Sequence, residues 1–271
     1  MKTVVLGITA LVVALVLAVV LYDQLKSPSE RGDEGVHTAT PQEIRSESEA
    51  EPRYPVPPPP VQPPAKTPPT VEPPITVESA KPAPQPEPPP SFTEQLSRIF
   101  SGSRFIDLLR QDDFIQRFVA TVDSIPEQQP PSRYLPVTPP AGTFLVSRDR
   151  INPENARRYL PYLDLLEFIG RDRAIDLYLT HYPQFQSAYR QLGYPRGHFN
   201  DRLVAVIDHL LLTPRSNEPI AVHKTVITYR YQDPNLEALS PGQKLLIRIG
   251  ADNRQGIEVF LRQIRARLVA L

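Results

Sequence analysis

Four ionisable side chains crowd one short apolar segment: Asp201, Arg202, Asp208 and His209. An acid, a base and a cation so close together could move a proton or hold a charged ligand, so their angular placement decides what they can do. On a helix with Asp201 at zero and about 100° per residue, Leu203, Val204, Val206, Ile207, Leu210 and Leu211 fill roughly 140° to 300°. Ala205 and Leu212 fall near 40° and 20°, inside the polar side. Asp201 and Asp208 then share one border, about 20° apart, while Arg202 and His209 share the other at a similar spacing. Adjacent residues diverge by about 100°, so Asp208 and His209 cannot work as one acid–base pair. A helix apolar nearly all round belongs at the centre of a domain, where charges need partners from other segments. That pattern predicts a structural polar network, with Asn200 or Asp201 capping the helix. The alternative is a binding or catalytic cleft made by Tyr194, Asn200, Asp201, Arg202, Asp208 and His209, because buried ion networks also tune pKa values in active sites.

Other chemistry is thinly represented. The chain carries no G-x-S-x-G elbow, no H-E-x-x-H pair and no phosphate-binding loop. His37, His181, His198, His209 and His223 fall on separate elements, and no two of them have metal-ligand spacing. The complete lack of cysteine removes disulfides, thiolate nucleophiles and cysteine-based metal centres. No catalytic residue, metal or cofactor is expected. Charge over the whole chain balances, with 30 Lys+Arg against 30 Asp+Glu. From residue 91 onward it is 23 against 19, a mild excess that gives no nucleic-acid footprint.

Ahead of that region the chain reads as an anchor and a spacer. Val4 to Leu21 is an uncharged run rich in Val and Leu, just long enough to cross a hydrocarbon core of about 30 Å as a helix. Lys2 precedes it and Asp23 follows it, without the small-residue site of a cleaved signal. The expectation is an uncleaved anchor over 4–22 in a lipid bilayer, residues 1–3 cytoplasmic and the remainder exported. Between residues 41 and 90, 19 of 50 residues are proline. Such a stretch cannot keep an amide ladder, so 23–90 is expected to be disordered, extended and solvated. PxxP matches such as Pro55 to Pro58 could instead dock in an aromatic-lined groove, but any tract this rich in proline produces them by chance.

Residues 91–271 are long enough for one buried core. Leu96, Ile99 and Phe100, then Phe105, Leu108 and Leu109, then Phe114, Ile115, Phe118, Val119 and Val122 recur at helical spacing. Pro126 to Pro140 interrupts the pattern, and Thr143 to Arg148 alternates like a strand. Asn152 and Pro153 open another helical stretch, which Pro161 bends or splits. Helices are predicted next over 171–182 and 183–192, separated by Pro183 and stopped by Gly193. Tyr178, Tyr182, Phe185 and Tyr189 form an aromatic stripe best explained by core packing. After the helix at 200–212, Ala221 to Tyr231 is expected to pair with 143–148. Helices over 240–249 and 252–268 follow, the last with Arg254, Arg262 and Arg265 away from its apolar face. The predicted class is mainly α: a helical domain with a small two-stranded β element, preceded by one transmembrane helix and a disordered proline-rich linker.

Two resemblances bear on function. A short head, one crossing, a spacer bearing Glu72-Pro73, Lys81-Pro82 and Glu87-Pro88, and a terminal domain together resemble the TonB energy transducers. The likeness stops at the architecture, because the anchor has no histidine and the domain is helical where theirs is strand-rich. More specific are Asp112 to Asp123, Leu192 to Pro214 and Tyr229 to Gly250. These peptides resemble the bacterial family catalogued as domain of unknown function 3014, which implies a membrane-tethered domain and no known activity. The expected function is therefore a non-enzymatic interaction or scaffold domain, held in the periplasm on the inner membrane with a protein partner of the cell envelope. A TonB-like transducer or an envelope hydrolase is the alternative.

Overall fold

The structure, a computed structural model, describes residues 51–58, 90–127, 135–216, 219–226 and 228–271. The expected anchor and most of the expected spacer lie outside the described residues. No helix among the described residues is long and apolar enough to cross a membrane.

Helix boundaries follow local chemistry. Helix α1 (Phe92–Phe100) opens on a reciprocal capping box between Ser91 and Glu94, and α2 (Phe114–Ser124) follows a short 3-10 turn. The Asn152 side chain accepts from the Glu154 amide, and Pro153 begins a 3-10 stretch to Tyr159. Pro161 stands in the first turn of α3 (Leu160–Ile169), where its missing amide costs nothing, so the segment is split as the sequence predicts. Gly170, at φ 68°, turns the chain into α4 (Arg171–Gln191). After α5 (Phe199–Leu211) and the one-turn α6 (Pro234–Glu237), Ser240 and Gln243 form a second capping box for α7 (Pro241–Arg248). Gly250, at φ 88°, then leads into α8 (Ala251–Val269). A Cβ there would stand 3.1 Å from that of Ala156, so conformation and space both favour glycine.

Helix α5 is central, touching α2, α4, α7 and α8. Phe199, Leu203, Val204, Val206, Ile207 and Leu210 are buried, whereas Leu212, on the polar side, is 77 % exposed. The aromatic stripe of α4 faces the same core: Phe185 stacks on Phe199 with ring centroids 6.1 Å apart and stands edge-on to Phe118 at 5.5 Å. The expected break at Pro183 is corrected, because α4 runs unbroken through it. A proline inside a helix costs about 3 kcal/mol. Buried residues on both sides, from Ala174 to Tyr178 and from Phe185 to Tyr189, hold the two halves on one core and offset it. His181, in the same helix, is buried against the edge of Phe92, and that burial lowers its pKa.

The β structure is small and antiparallel but paired differently from expectation. Val146–Ser147 (β1) pairs with Arg150–Ile151 (β2), and Val222–Lys224 (β3) with Tyr229–Tyr231 (β4). The 221–231 segment thus folds on itself instead of pairing with 143–148. The two hairpins meet through β2, where the Ile151 amide donates to the Ile220 carbonyl at 2.9 Å and Val222 donates to Asp149 at 2.8 Å. Arg148 and Asp149 adopt positive φ, closing a two-residue turn that the strand pattern alone does not reveal. Ile220, Val222, Tyr231 and Ile247 form a second small core beneath the hairpins.

Candidate functional site

The four charged residues of α5 each find a partner from another segment. Arg202 donates through Nε to the Asp123 carboxylate at 2.8 Å and through its other arm to the Asp123 carbonyl at 2.6 Å, with Glu127 at 3.4 Å. Tyr194 donates to the second Asp123 oxygen at 3.0 Å while its ring stacks on Tyr189 at 4.6 Å. Partial burial and the Asp123 charge both raise the Tyr194 pKa. Asp208 pairs with Arg265 of α8, a contact in which both side chains stay about two-fifths exposed. His209 Nε2 lies 2.8 Å from the Ser240 hydroxyl, and its carbonyl accepts from Gln243, tying α5 to the cap of α7. Burial, then the positive charge of Arg202, lowers the His209 pKa. Arg202, Asp208 and His209 thus join three different helices to α5, each through its own partner.

Asn200 and Asp201 behave differently, because what they hold comes from outside the helical domain. Residues 51–58 belong to the stretch expected to be solvated spacer, and the structure places them on the domain surface. The Arg53 amide donates to Asp201 Oδ2 at 2.9 Å and the Tyr54 amide to Asp201 Oδ1 at 2.8 Å. Asn200, fully buried, donates from Nδ2 to the Tyr54 carbonyl at 2.9 Å and toward the Leu268 carbonyl at 3.5 Å. Its Oδ1 accepts from the Tyr178 hydroxyl at 3.2 Å, which fixes the amide orientation. Burial, followed by the Tyr182 and Asp201 environments, pushes the Tyr178 phenol well up, so it remains a donor. Pro52, Tyr54 and Val56 are half-buried while Glu51, Arg53, Pro55 and Pro57 are exposed. Arg53 and Tyr54 form a bend, which brings their two adjacent amides to one side so that a single carboxylate takes both. The Tyr54 side chain packs on the main core and adds to the field that raises the Arg265 pKa, behind the larger effect of Asp208.

The capping expectation for Asn200 and Asp201 fails for the same reason: both side chains are spent on the peptide. Position 198 is the N-cap and makes no side-chain cap bond. The free Phe199 amide is instead satisfied by Gln186 Oε1 of α4 at 2.9 Å, and Gln186 also donates to the Gly197 carbonyl at 2.7 Å. Asp123, Gln186, Arg265 and the 53–54 peptide were not among the candidates read from the sequence. One signal was present: Tyr54 is the sole aromatic residue between 23 and 90. Pro52 and Pro55 also bracket it so that Arg53 and Tyr54 supply the only two amides between them.

Among the described residues no three His, Asp or Glu side chains gather as metal ligands. The open cavity at the β2–α8 side, about 490 Å³, is lined by Ile151, Ala156, Ile220, Ile247 and Arg248 and contains none of the α5 residues.

Fold and site together define a mainly helical domain whose central helix holds the chain's own 53–54 segment at its first turn. The family described as "Protein of unknown function (DUF3014)" matches residues 114–265, and the chain belongs to it. That span includes every charged residue of α5 and stops short of the 51–58 peptide. No curated protein matches the chain, and no solved structure does.

Proposed function

We propose that the chain is a membrane-tethered interaction protein of the bacterial cell envelope. Residues 1–3 stay in the cytoplasm, 4–22 cross the inner membrane, 23–90 act as spacer, and 91–271 form a periplasmic domain that binds a protein partner and performs no reaction. One observation carries this reading: the side chains that α5 presents at its first turn bind main-chain groups of the chain's own 53–54 segment. A carboxylate taking two adjacent amides while an amide donates to the following carbonyl is a recognition geometry for polypeptide. The neighbouring ionisable residues support it, because each is held by a structural partner.

Two measurements test it. Alkaline phosphatase fused after Leu271 should be active in the membrane fraction at full precursor mass. An inactive fusion would reverse the topology, and loss of about two dozen residues would mean a cleaved signal. A photo-cross-linking side chain placed at Tyr194 or at Leu212, 41 % and 77 % exposed, should give a discrete adduct in intact cells. No adduct at either position would remove the interaction reading.

A further inference from the structure

The 52–55 contact has features that a chance surface contact of a spacer lacks. In a proline-rich chain amides are scarce, and a carboxylate gains most where two stand side by side. Pro52-Arg53-Tyr54-Pro55 provides such a pair, and Asp201 accepts from both, one oxygen each. Among the described residues these are the only hydrogen bonds the Asp201 carboxylate makes. Without the peptide, Asp201 would keep only water and the positive end of the α5 dipole. Asn200 is more telling. It is buried, and its Nδ2 has one good acceptor, the Tyr54 carbonyl, because Leu268 lies at the limit of hydrogen-bond distance. The bracketing prolines fix φ at positions 52 and 55 and restrict the residue before each, which reduces the entropy lost on docking. Tyr54 supplies the one side chain that packs on the core, beside Arg265 and the end of α8. Arg53 is exposed, and its guanidinium lies 5.5 Å from the centroid of the Tyr54 ring.

We propose that the seam between Asn200–Asp201 and the end of α8 is a peptide-binding site for Pro-x-Tyr-Pro sequences, occupied in this chain by its own residues 52–55. A partner bearing the same sequence enters only by displacing that segment. The inference rests on the reading of the domain as an interaction module and names its ligand. Selectivity divides by chemistry: the main chain is read by Asp201 and Asn200, the tyrosine by the α5–α8 seam, and position x is left to solvent. Because the internal segment is tethered through residues 56–90, it competes at an effective concentration of order millimolar. A free peptide binding with a Kd near 0.1 mM would therefore see its apparent affinity fall by about tenfold.

The probe is a fluorescein-labelled synthetic peptide with the sequence of residues 49–60, titrated by anisotropy against the full chain in detergent micelles. The Tyr54→Ala chain should bind it about tenfold more tightly than the wild-type chain. The same peptide with N-methyl groups on its arginine and tyrosine amides, or with alanine for tyrosine, should not bind. Asp201→Ala in the Tyr54→Ala chain should abolish binding with its melting temperature unchanged; the methylated peptide gives the same test without altering the protein. Equal affinity for wild-type and Tyr54→Ala chains, no binding to either, or binding that survives amide methylation would each overturn the proposal. If the peptide fails while the cross-linked adduct in intact cells persists, only this ligand assignment falls and the interaction reading stands.

Discussion

Replacing Phe199 with alanine should cost about 3–5 kcal/mol, the usual range for deleting a fully buried phenylalanine. Its ring is fully buried and touches Phe118 at 6.1 Å, Phe185 at 6.1 Å, Tyr178 at 6.3 Å and Tyr189 at 5.6 Å. These neighbours come from α2 and α4 and are themselves pinned, Tyr178 through its bond to Asn200 and Tyr189 by its stack on Tyr194. The site therefore cannot collapse, and the cavity should persist. For a domain of this size each kcal/mol moves the melting temperature by about 2–4 °C, so thermal unfolding should shift down by about 6–20 °C. Phe199→Leu, which keeps most of the volume, should lose less than half as much. A Phe199→Ala loss under about 1 kcal/mol would mean the aromatic core is not packed as described.

The second large effect is expected at Arg254. The sequence pattern places this residue on the polar side of α8, yet it is buried with 9 % exposure. It donates to the Thr213 carbonyl at 2.5 Å, the Pro214 carbonyl at 2.7 Å and Glu258 at 2.6 Å, and so holds the chain where it leaves α5. Arg254→Met keeps the stem and removes all three donors. Two carbonyls lose their partner, and Glu258 keeps only Arg262, whose side chain is 55 % exposed. The expected loss is about 3 kcal/mol at pH 7, as for other broken buried pairs. Its pH dependence has a definite sign. Burial raises the Glu258 pKa, but its bonds to Arg254 and Arg262 win and hold it below 4.5. A carboxylate with a depressed folded pKa stabilises above its unfolded value, and that contribution disappears as pH falls through the folded value. The gap between Arg254→Met and wild type should thus be widest near neutrality and narrow below about pH 4.5 in chemical denaturation. A gap that stays constant or widens in acid would show that Glu258 is not the group left stranded.

What could be read from the chain and what could not divide along physical lines. Periodicity located α5 to within a residue at each end, because thirteen residues with apolar side chains nearly all round leave few other solutions. It also implied that Asp201, Arg202, Asp208 and His209 need partners, since a central helix offers little water. It could not say which partners. Asp123 is 79 residues from Arg202, and Arg265 is 57 from Asp208, separations at which spacing carries no information. Arg254 was misplaced for a related reason: its angle on α8 is right, but the chain emerging from α5 covers that face. The break expected at Pro183 is absent because burial on both sides of the residue outweighs the local cost of a proline in a helix. Tyr54 is hidden in the composition of a proline-rich tract, although one aromatic residue in such a tract is its strongest apolar anchor.

The central claim is that Asp201 and Asn200 hold the 53–54 peptide, and amide hydrogen exchange on the intact chain tests it most directly. Arg53 and Tyr54 amides should exchange at least tenfold more slowly than the Glu51 and Val56 amides, which have no acceptor among the described residues. In Asp201→Ala that protection should disappear, while α5 amides such as Val206 and Ile207 keep theirs. Arg53 and Tyr54 exchanging at the rate of an unstructured peptide in the wild-type chain would contradict the account.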